Sequence, residues 1–114
     1  MVVSVPAHAE NWVEVYSPRS GHEYTGYIDR DSIKIVGSIK RVSIKITYIN
    51  DKDGADYTLA EYDINCESST YAKRAFRTYY KDGSAQSRGP FNSWTQRPPR
   101  DISLNGRIIA GVCG

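Results

Sequence analysis

Few side chains in the sequence could carry out catalysis, and His22 with its neighbour Glu23 is the best candidate pair. Together with an arginine, they would supply an acid, a base and a cation for cleaving a phosphate ester, as in a secreted ribonuclease. Nothing in their spacing selects that reaction, and the sequence contains no phosphate-binding glycine loop, no HExxH and no CxxC motif. We therefore interpret His22 as an exposed loop residue and expect neither an enzyme nor a cofactor.

The acidic residues Asp51, Asp53 and Asp56 could offer oxygen ligands to calcium. An EF-hand loop also requires a glycine at its sixth position, a glutamate at its twelfth and flanking helices, whereas strand-like sequence flanks this segment. The run Asn50-Asp51-Lys52-Asp53-Gly54 is typical of a turn. We predict a turn that holds no metal ion.

Cys66 and Cys113 are the only cysteines, so the chain can form one disulfide bond at most. Cys66 ends a predicted strand and Cys113 ends a predicted helix, so a bond between them would tie the helix to the sheet. Closing a loop of this length stabilises a small domain by roughly 4 kcal/mol in the chain-entropy model. We predict the Cys66–Cys113 bond; the alternative, two free thiols, is disfavoured in an oxidising compartment.

The segment Ala7-His8-Ala9 has the small-x-small form of a signal-peptidase site. Apolar residues precede it, but a basic start and a long apolar core are not present. We interpret residues 1–9 as the remnant of an export signal or, alternatively, as a disordered tail. Residues 10–114 are then a single exported domain.

The overall composition fits one ordinary globular domain, with 114 residues of which 39% are hydrophobic and 25% charged. No apolar run approaches the ~18 residues that a membrane-spanning helix needs. The net charge of +2 is too small to require a nucleic-acid partner. These counts exclude a multidomain enzyme, a coiled coil, a membrane span and a cysteine-rich metal module.

Charge is unevenly distributed along the chain. Residues 1–66 contain seven Lys or Arg and ten Asp or Glu, a net −3, whereas residues 67–114 contain eight and three, a net +5. Five of those eight lie between Lys73 and Arg88, among aromatic residues. One interpretation is a binding surface for a polyanion or for an acidic protein. The alternative is a solvated strand face whose positive charges prevent edge-to-edge pairing with another strand.

Alternation of apolar and polar residues predicts that most of the chain is antiparallel β-structure with one buried face. Trp12, Glu14 and Tyr16 share one face of the first strand, opposite two valines. A turn that begins at Asp29 separates the second strand from the third. The further predicted strands cover residues 24–29, 32–36, 42–48, 57–66, 71–80 and 84–87.

The C-terminal segment has a helical period instead. Leu104, Ile108 and Val112 recur every four residues, which predicts one apolar stripe on a helix. Asp101 or Ser103 is available as its N-cap. The predicted fold class is therefore α+β and mainly β, an antiparallel meander sheet with one C-terminal helix packed on it and pinned by a disulfide.

The order of these signals resembles the surface-adhesin protein E-like family of Gram-negative bacteria. The residues that carry the resemblance are Trp12-Val13, Tyr27-Ile28-Asp29, Ser32-Ile33, Tyr62-Asp63-Ile64-Asn65-Cys66, Tyr79-Tyr80-Lys81-Asp82-Gly83, Trp94 and Val112-Cys113. The resemblance implies a small lipoprotein or periplasmic fold. The family's named member is an outer-membrane adhesin, a dimer that captures host matrix and serum proteins such as vitronectin and laminin.

From the resemblance we expect a non-catalytic envelope or secreted binding domain that captures host or envelope proteins. Its location would be the periplasm or the cell surface of a Gram-negative bacterium. The alternative is a periplasmic inhibitor of a hydrolase such as lysozyme, although a half-basic chain is not an obvious electrostatic complement to a basic enzyme.

Alternation on two neighbouring strands also predicts where a protein would bind. Aromatic, apolar and basic side chains are placed on the face away from the core, namely Tyr57, Leu59, Tyr71, Lys73, Arg77 and Tyr79. Tyrosine suits interfaces because it offers a large amphipathic contact area, but tyrosines could equally cover the core edge of a thin sheet. Since one helix covers only one face, we also expect a symmetric homodimer that buries this patch.

Overall fold

The computed structural model describes residues 10–18, 23–98 and 103–114, which form an antiparallel sheet followed by one helix. The elements are β1 (Trp12–Tyr16), β2 (Tyr24–Val36), β3 (Ile39–Tyr48), β4 (Ala55–Asn65), β5 (Thr70–Tyr80), β6 (Ala85–Arg88), β7 (Thr95–Gln96) and α1 (Leu104–Cys113). Strands β1 to β6 lie side by side in chain order, and β7 also pairs with β5. The predicted fold class is confirmed.

Three of the sequence expectations fall outside the described residues. They concern the export remnant at residues 1–9, the loop residue His22 and the possible cap Asp101. They stay predictions.

The second and third predicted strands form one long strand, β2, and the expected turn at Asp29 is a shift in the β2–β3 register. The Asp29 carboxylate accepts hydrogen bonds from the backbone N–H groups of Asn11 and Asp31, at 3.1 and 3.0 Å. The Ser32 hydroxyl donates to the Asp29 carbonyl at 2.7 Å and accepts from the Ser43 N–H at 2.9 Å. These bonds give partners to backbone groups beside the register shift, so the strand continues.

The β3–β4 connection is a turn that its own carboxylate stabilises. Asp51 Oδ2 accepts from the N–H groups of Asp53 and Ala55, both at 3.0 Å, and Gly54 has a φ of +78° that favours glycine. Within the described parts of the chain, no group of three or more His, Cys, Asp or Glu residues is placed to hold a metal ion.

Helix α1 begins after Ser103, whose hydroxyl accepts a hydrogen bond from the Gly106 N–H at 2.9 Å. The predicted stripe faces the sheet, with Ile108 and Ile109 fully buried. Gly111 permits close packing, since a Cβ there would lie 2.9 Å from Val15 Cγ1. In the described part of the chain, no helix is long and apolar enough to cross a membrane.

The core lies between α1 and the middle of the sheet. Its buried members are Ile28, Val42, Ile44, Tyr62, Ile64, Tyr71, Ile108 and Ile109. A polar contact aligns the helix: the Tyr62 hydroxyl donates to Asn105 Oδ1 at 2.6 Å, and Asn105 Nδ2 donates to the Tyr71 hydroxyl at 3.1 Å. Burial raises the pKa of Tyr62, which keeps this hydroxyl a donor.

The Cys66–Cys113 disulfide joins the end of β4 to the last turn of α1, with the two Cα atoms 5.7 Å apart. The predicted bond is confirmed. It closes a loop of 47 residues in sequence separation, so it restricts a large part of the unfolded chain.

We expect the double substitution Cys66→Ala/Cys113→Ala to lower the free energy of unfolding by roughly 2–5 kcal/mol, because the unfolded chain regains the entropy of the open loop. Urea unfolding followed by circular dichroism measures the difference. The wild-type protein with reductant is the matched control, and it should unfold at the same urea concentration as the variant. An unchanged midpoint in both samples would contradict the expectation.

Candidate binding face

A bulge in β5 decides which residues lie on each face of the sheet. Glu61 of β4 pairs with Ala75, but the next residue, Tyr62, pairs with Lys73, so Arg74 is an extra residue in β5. Because side chains alternate along a strand, one extra residue reverses the face of everything before it. The alternation that the sequence suggests is therefore interrupted in the middle of β5.

The sequence predicts that six residues share the face away from the core. This prediction is wrong for two of them, Tyr71 and Lys73, which precede the bulge in β5. Tyr71 is buried on the helix side, where its ring stacks on Tyr62 at 5.8 Å. Lys73 lies on the same side and lines a groove of about 180 Å³ with Phe76. The register after the bulge leaves Arg77 and Tyr79 on the opposite side.

The remaining four, Tyr57, Leu59, Arg77 and Tyr79, lie together on the face away from α1, which we call the open face. Tyr57 pairs with Tyr79, and Leu59 pairs with Arg77, in adjacent positions of β4 and β5. The rings of Tyr57 and Tyr79 stack with centroids 4.7 Å apart. The guanidinium carbon of Arg77 lies 5.4 Å from the centre of the Tyr79 ring.

Two residues outside the predicted set extend this arrangement across the sheet. The ammonium of Lys45 lies 5.2 Å from the centre of the Tyr57 ring and 5.9 Å from that of Trp12. Such cation–π contacts contribute about 0.5–1 kcal/mol each at exposed sites. We call the resulting row the aromatic–cation stripe: Trp12, Lys45, Tyr57, Tyr79 and Arg77. Alternation along β1 and β3 could have placed Trp12 and Lys45 on the open face, since each lies next to a residue that faces the core.

Beside the stripe the open face has a wide depression of about 530 Å³. Its lining includes Trp12, Leu59, Glu61, Arg77, Arg88 and Pro90. The depression therefore combines an apolar floor with side chains of both charges. That combination suits a protein surface better than a ligand of a single charge.

A buried carboxylate holds the three central strands in register next to this face. Asp63 of β4 accepts from Arg41 of β3 through two bonds of 2.7 and 2.9 Å, and Arg74 Nε lies 3.4 Å from its second oxygen. Hydrogen bonding to Asp63 raises the pKa of Arg41 above its usual value. Arg74 is the bulge residue itself, so this ion pair fixes the bulge that divides the predicted set.

The five basic residues between 73 and 88 do not all lie on one surface. Lys73 is on the helix side, Arg74 is paired with Asp63, and Arg77 Nη1 donates to the Ser87 hydroxyl at 2.6 Å. The structure therefore favours the second interpretation of this segment, a set of charges spread over strand faces, over a continuous polyanion site.

These features define a class, a small antiparallel sheet that carries one disulfide-tied helix on one face and leaves an aromatic face open. The sequence profile of the family described as surface-adhesin protein E matches residues 12–114, from the first residue of β1 to the end of the chain. The chain belongs to the surface-adhesin protein E family, as the resemblance indicated. Searches of curated proteins and of solved structures found no match.

We expect the stacked tyrosines to be energetically coupled by roughly 0.5–1.5 kcal/mol, because their rings touch face to face. A double-mutant cycle of Tyr57→Leu and Tyr79→Leu, measured by chemical unfolding, gives this coupling. The control cycle combines Tyr57→Leu with Phe91→Leu, since Phe91 stacks on Phe76 and not on Tyr57. Equal coupling energies in the two cycles would show that the contact between the Tyr57 and Tyr79 rings adds no stability of its own.

Proposed function

We propose that this protein is a non-catalytic adhesin-like binding domain, exported to the periplasm or the cell surface of a Gram-negative bacterium. Membership of the surface-adhesin protein E family supports a surface-binding role. The observation that carries the proposal for this chain is the aromatic–cation stripe on the open face, next to the depression of about 530 Å³.

The stripe has the composition of a protein-recognition surface. Tyr, Trp and Arg are the residue types that most often carry binding energy at protein interfaces, and the stripe contains all three. Leu59 adds an apolar centre beside Arg77. Because α1 packs on the other side of the sheet, a ligand can reach the open face without displacing the core.

Host matrix or serum proteins such as vitronectin and laminin are the ligand class we propose. The open face carries Lys45 and Arg77 on one hand and Glu14 and Glu61 on the other, so it presents both charges. A protein with mixed surface charge is a suitable complement, and the charges would set orientation and association rate more than affinity.

Two basic residues of the same strand provide a matched test of binding. We expect Arg77→Ala to weaken binding to immobilised vitronectin or laminin by roughly ten-fold or more, because Arg77 belongs to the stripe. Lys73→Ala removes a similar charge from the opposite face and should leave binding unchanged. Biolayer interferometry measures both affinities, and thermal unfolding checks that the variants fold.

Equal losses in the two variants would contradict the open face as the binding surface. Failure to bind either protein, together with stoichiometric inhibition of lysozyme, would replace the adhesin proposal with that of a hydrolase inhibitor.

We also propose that the open face mediates a symmetric homodimer when no ligand is bound. In a two-fold interface the same patch meets itself, so Lys45 and Arg77 of one protomer can face Glu14 and Glu61 of the other. The stacked tyrosines would then lie at its centre. Ligand and second protomer would compete for the same surface.

At tens of micromolar we expect sedimentation to show a species of about twice the 12.8 kDa chain mass. Tyr79→Lys should separate the protomers without unfolding them, because it places a charge at the centre of the interface while the core lies on the other face. Tyr80→Lys is the control, because Tyr80 is the next residue of β5 and lies on the opposite face. The dimer should persist in that variant. Only the monomer mass in the wild-type protein would contradict the dimer.

A further inference from the structure

The β2–β3 hairpin exposes apolar side chains at its tip. Ile35 and Val36 are 67% and 73% exposed, the highest values among the large hydrophobic residues that the structure describes as exposed. Elsewhere on the same two strands, Ile28 and Ile44 are completely buried. Two adjacent exposed β-branched residues form a small apolar patch at the end of a strand, and such a patch marks a contact site when other features accompany it.

The end of the sheet that carries this tip also carries Trp94. Cross-strand register links Val36 to Ile39, Ile39 to Asn65, Asn65 to Thr70 and Thr70 to Gln96, so the hairpin tip and β7 lie at one end. Trp94, which is 45% exposed, precedes β7 directly. Four strand spacings separate β2 from β7, about 19 Å. We call this region the hairpin end.

Two lysines flank the apolar tip. Lys34 is next to Ile35 in β2, and Lys40 pairs with Ile35 from β3. Arg41 is neutralised by Asp63, which leaves the two lysines as the positive charges nearest the tip. Lys40 also reaches the Val112 carbonyl, at 3.4 Å, so its ammonium remains beside the hairpin.

The edge of the hairpin could in principle pair with another strand. The β1–β2 register reaches no further than Asp29, so within the described residues nothing pairs with the outer edge of the last part of β2. The lysines oppose edge pairing with a second copy, since two copies would bring like charges together. Apolar side chains at a tip with cationic neighbours complement an interface that is apolar inside and anionic at its surface.

We propose that the hairpin end is a peripheral membrane contact that inserts Ile35 and Val36 between the headgroups of an anionic phospholipid bilayer. Lys34 and Lys40 bind the phosphates, and Trp94 lies at the headgroup level, where tryptophan is enriched in membrane-bound proteins. Two apolar side chains and two cations give weak, reversible attachment. This contact lies at the end of the sheet and does not include the aromatic–cation stripe, which stays accessible.

Vesicle co-sedimentation tests the proposal with phosphatidylcholine vesicles and with vesicles that also contain phosphatidylglycerol. We expect binding only to the mixed vesicles. Ile35→Ser/Val36→Ser should reduce the partition coefficient roughly ten-fold or more, and Lys34→Gln should reduce it roughly five-fold. Ile49→Ser is the matched control, because Ile49 is 46% exposed and follows β3 at the opposite end of the sheet.

Retention of binding by Ile49→Ser supports the proposal, and so does quenching of tryptophan fluorescence by brominated lipid that disappears in Trp94→Phe. No binding to the mixed vesicles, or equal losses in Ile49→Ser and Ile35→Ser/Val36→Ser, would overturn it. A dimer that dissociates on Ile35→Ser/Val36→Ser without vesicles would assign the tip to a second copy of the chain instead.

Discussion

The attachment of one ten-residue helix to the sheet is the constraint on which the rest of this structure depends. A helix of that length covers the apolar side chains of only part of one face, so its position must be fixed closely. The disulfide holds its C-terminal end, and the Asn105 amide between two tyrosines holds its first turn. At Gly26 and Gly111 the absence of a Cβ lets helix and sheet approach. The opposite face is left open as a direct result.

Much of this architecture could be predicted from the sequence because its causes are local. The alternation of Val42, Ile44 and Ile46 defines a strand, and the four-residue period from Leu104 defines the helix. The disulfide could be predicted because each cysteine ends an element. Alternation also predicts that Tyr57, Leu59, Arg77 and Tyr79 share one face, and they do, since no irregularity interrupts the pairings that connect them.

The predictions that place side chains on the wrong face share one physical origin, the β-bulge. Alternation predicts that Tyr16 shares a face with Trp12, but a register shift after Glu14 turns Tyr16 inward, where it is 1% exposed and stacks on Tyr24. The bulge at Arg74 moved Tyr71 and Lys73 in the same way. An extra residue of this kind is defined by pairing with another strand, so the sequence of one strand alone does not reveal it. The Asp63 ion pair that fixes it also joins residues far apart in the chain.

The contacts within the aromatic–cation stripe affect the thermodynamics of recognition as well as its chemistry. Lysine and arginine side chains lose up to about 2 kcal/mol of rotamer entropy when an interface immobilises them. Here Lys45 already lies against Tyr57, and Arg77 is already held between Tyr79 and Ser87. Part of the ordering is therefore complete in the unbound protein. A partner that docks on this face meets a preorganised surface, and more of its contact energy remains as affinity.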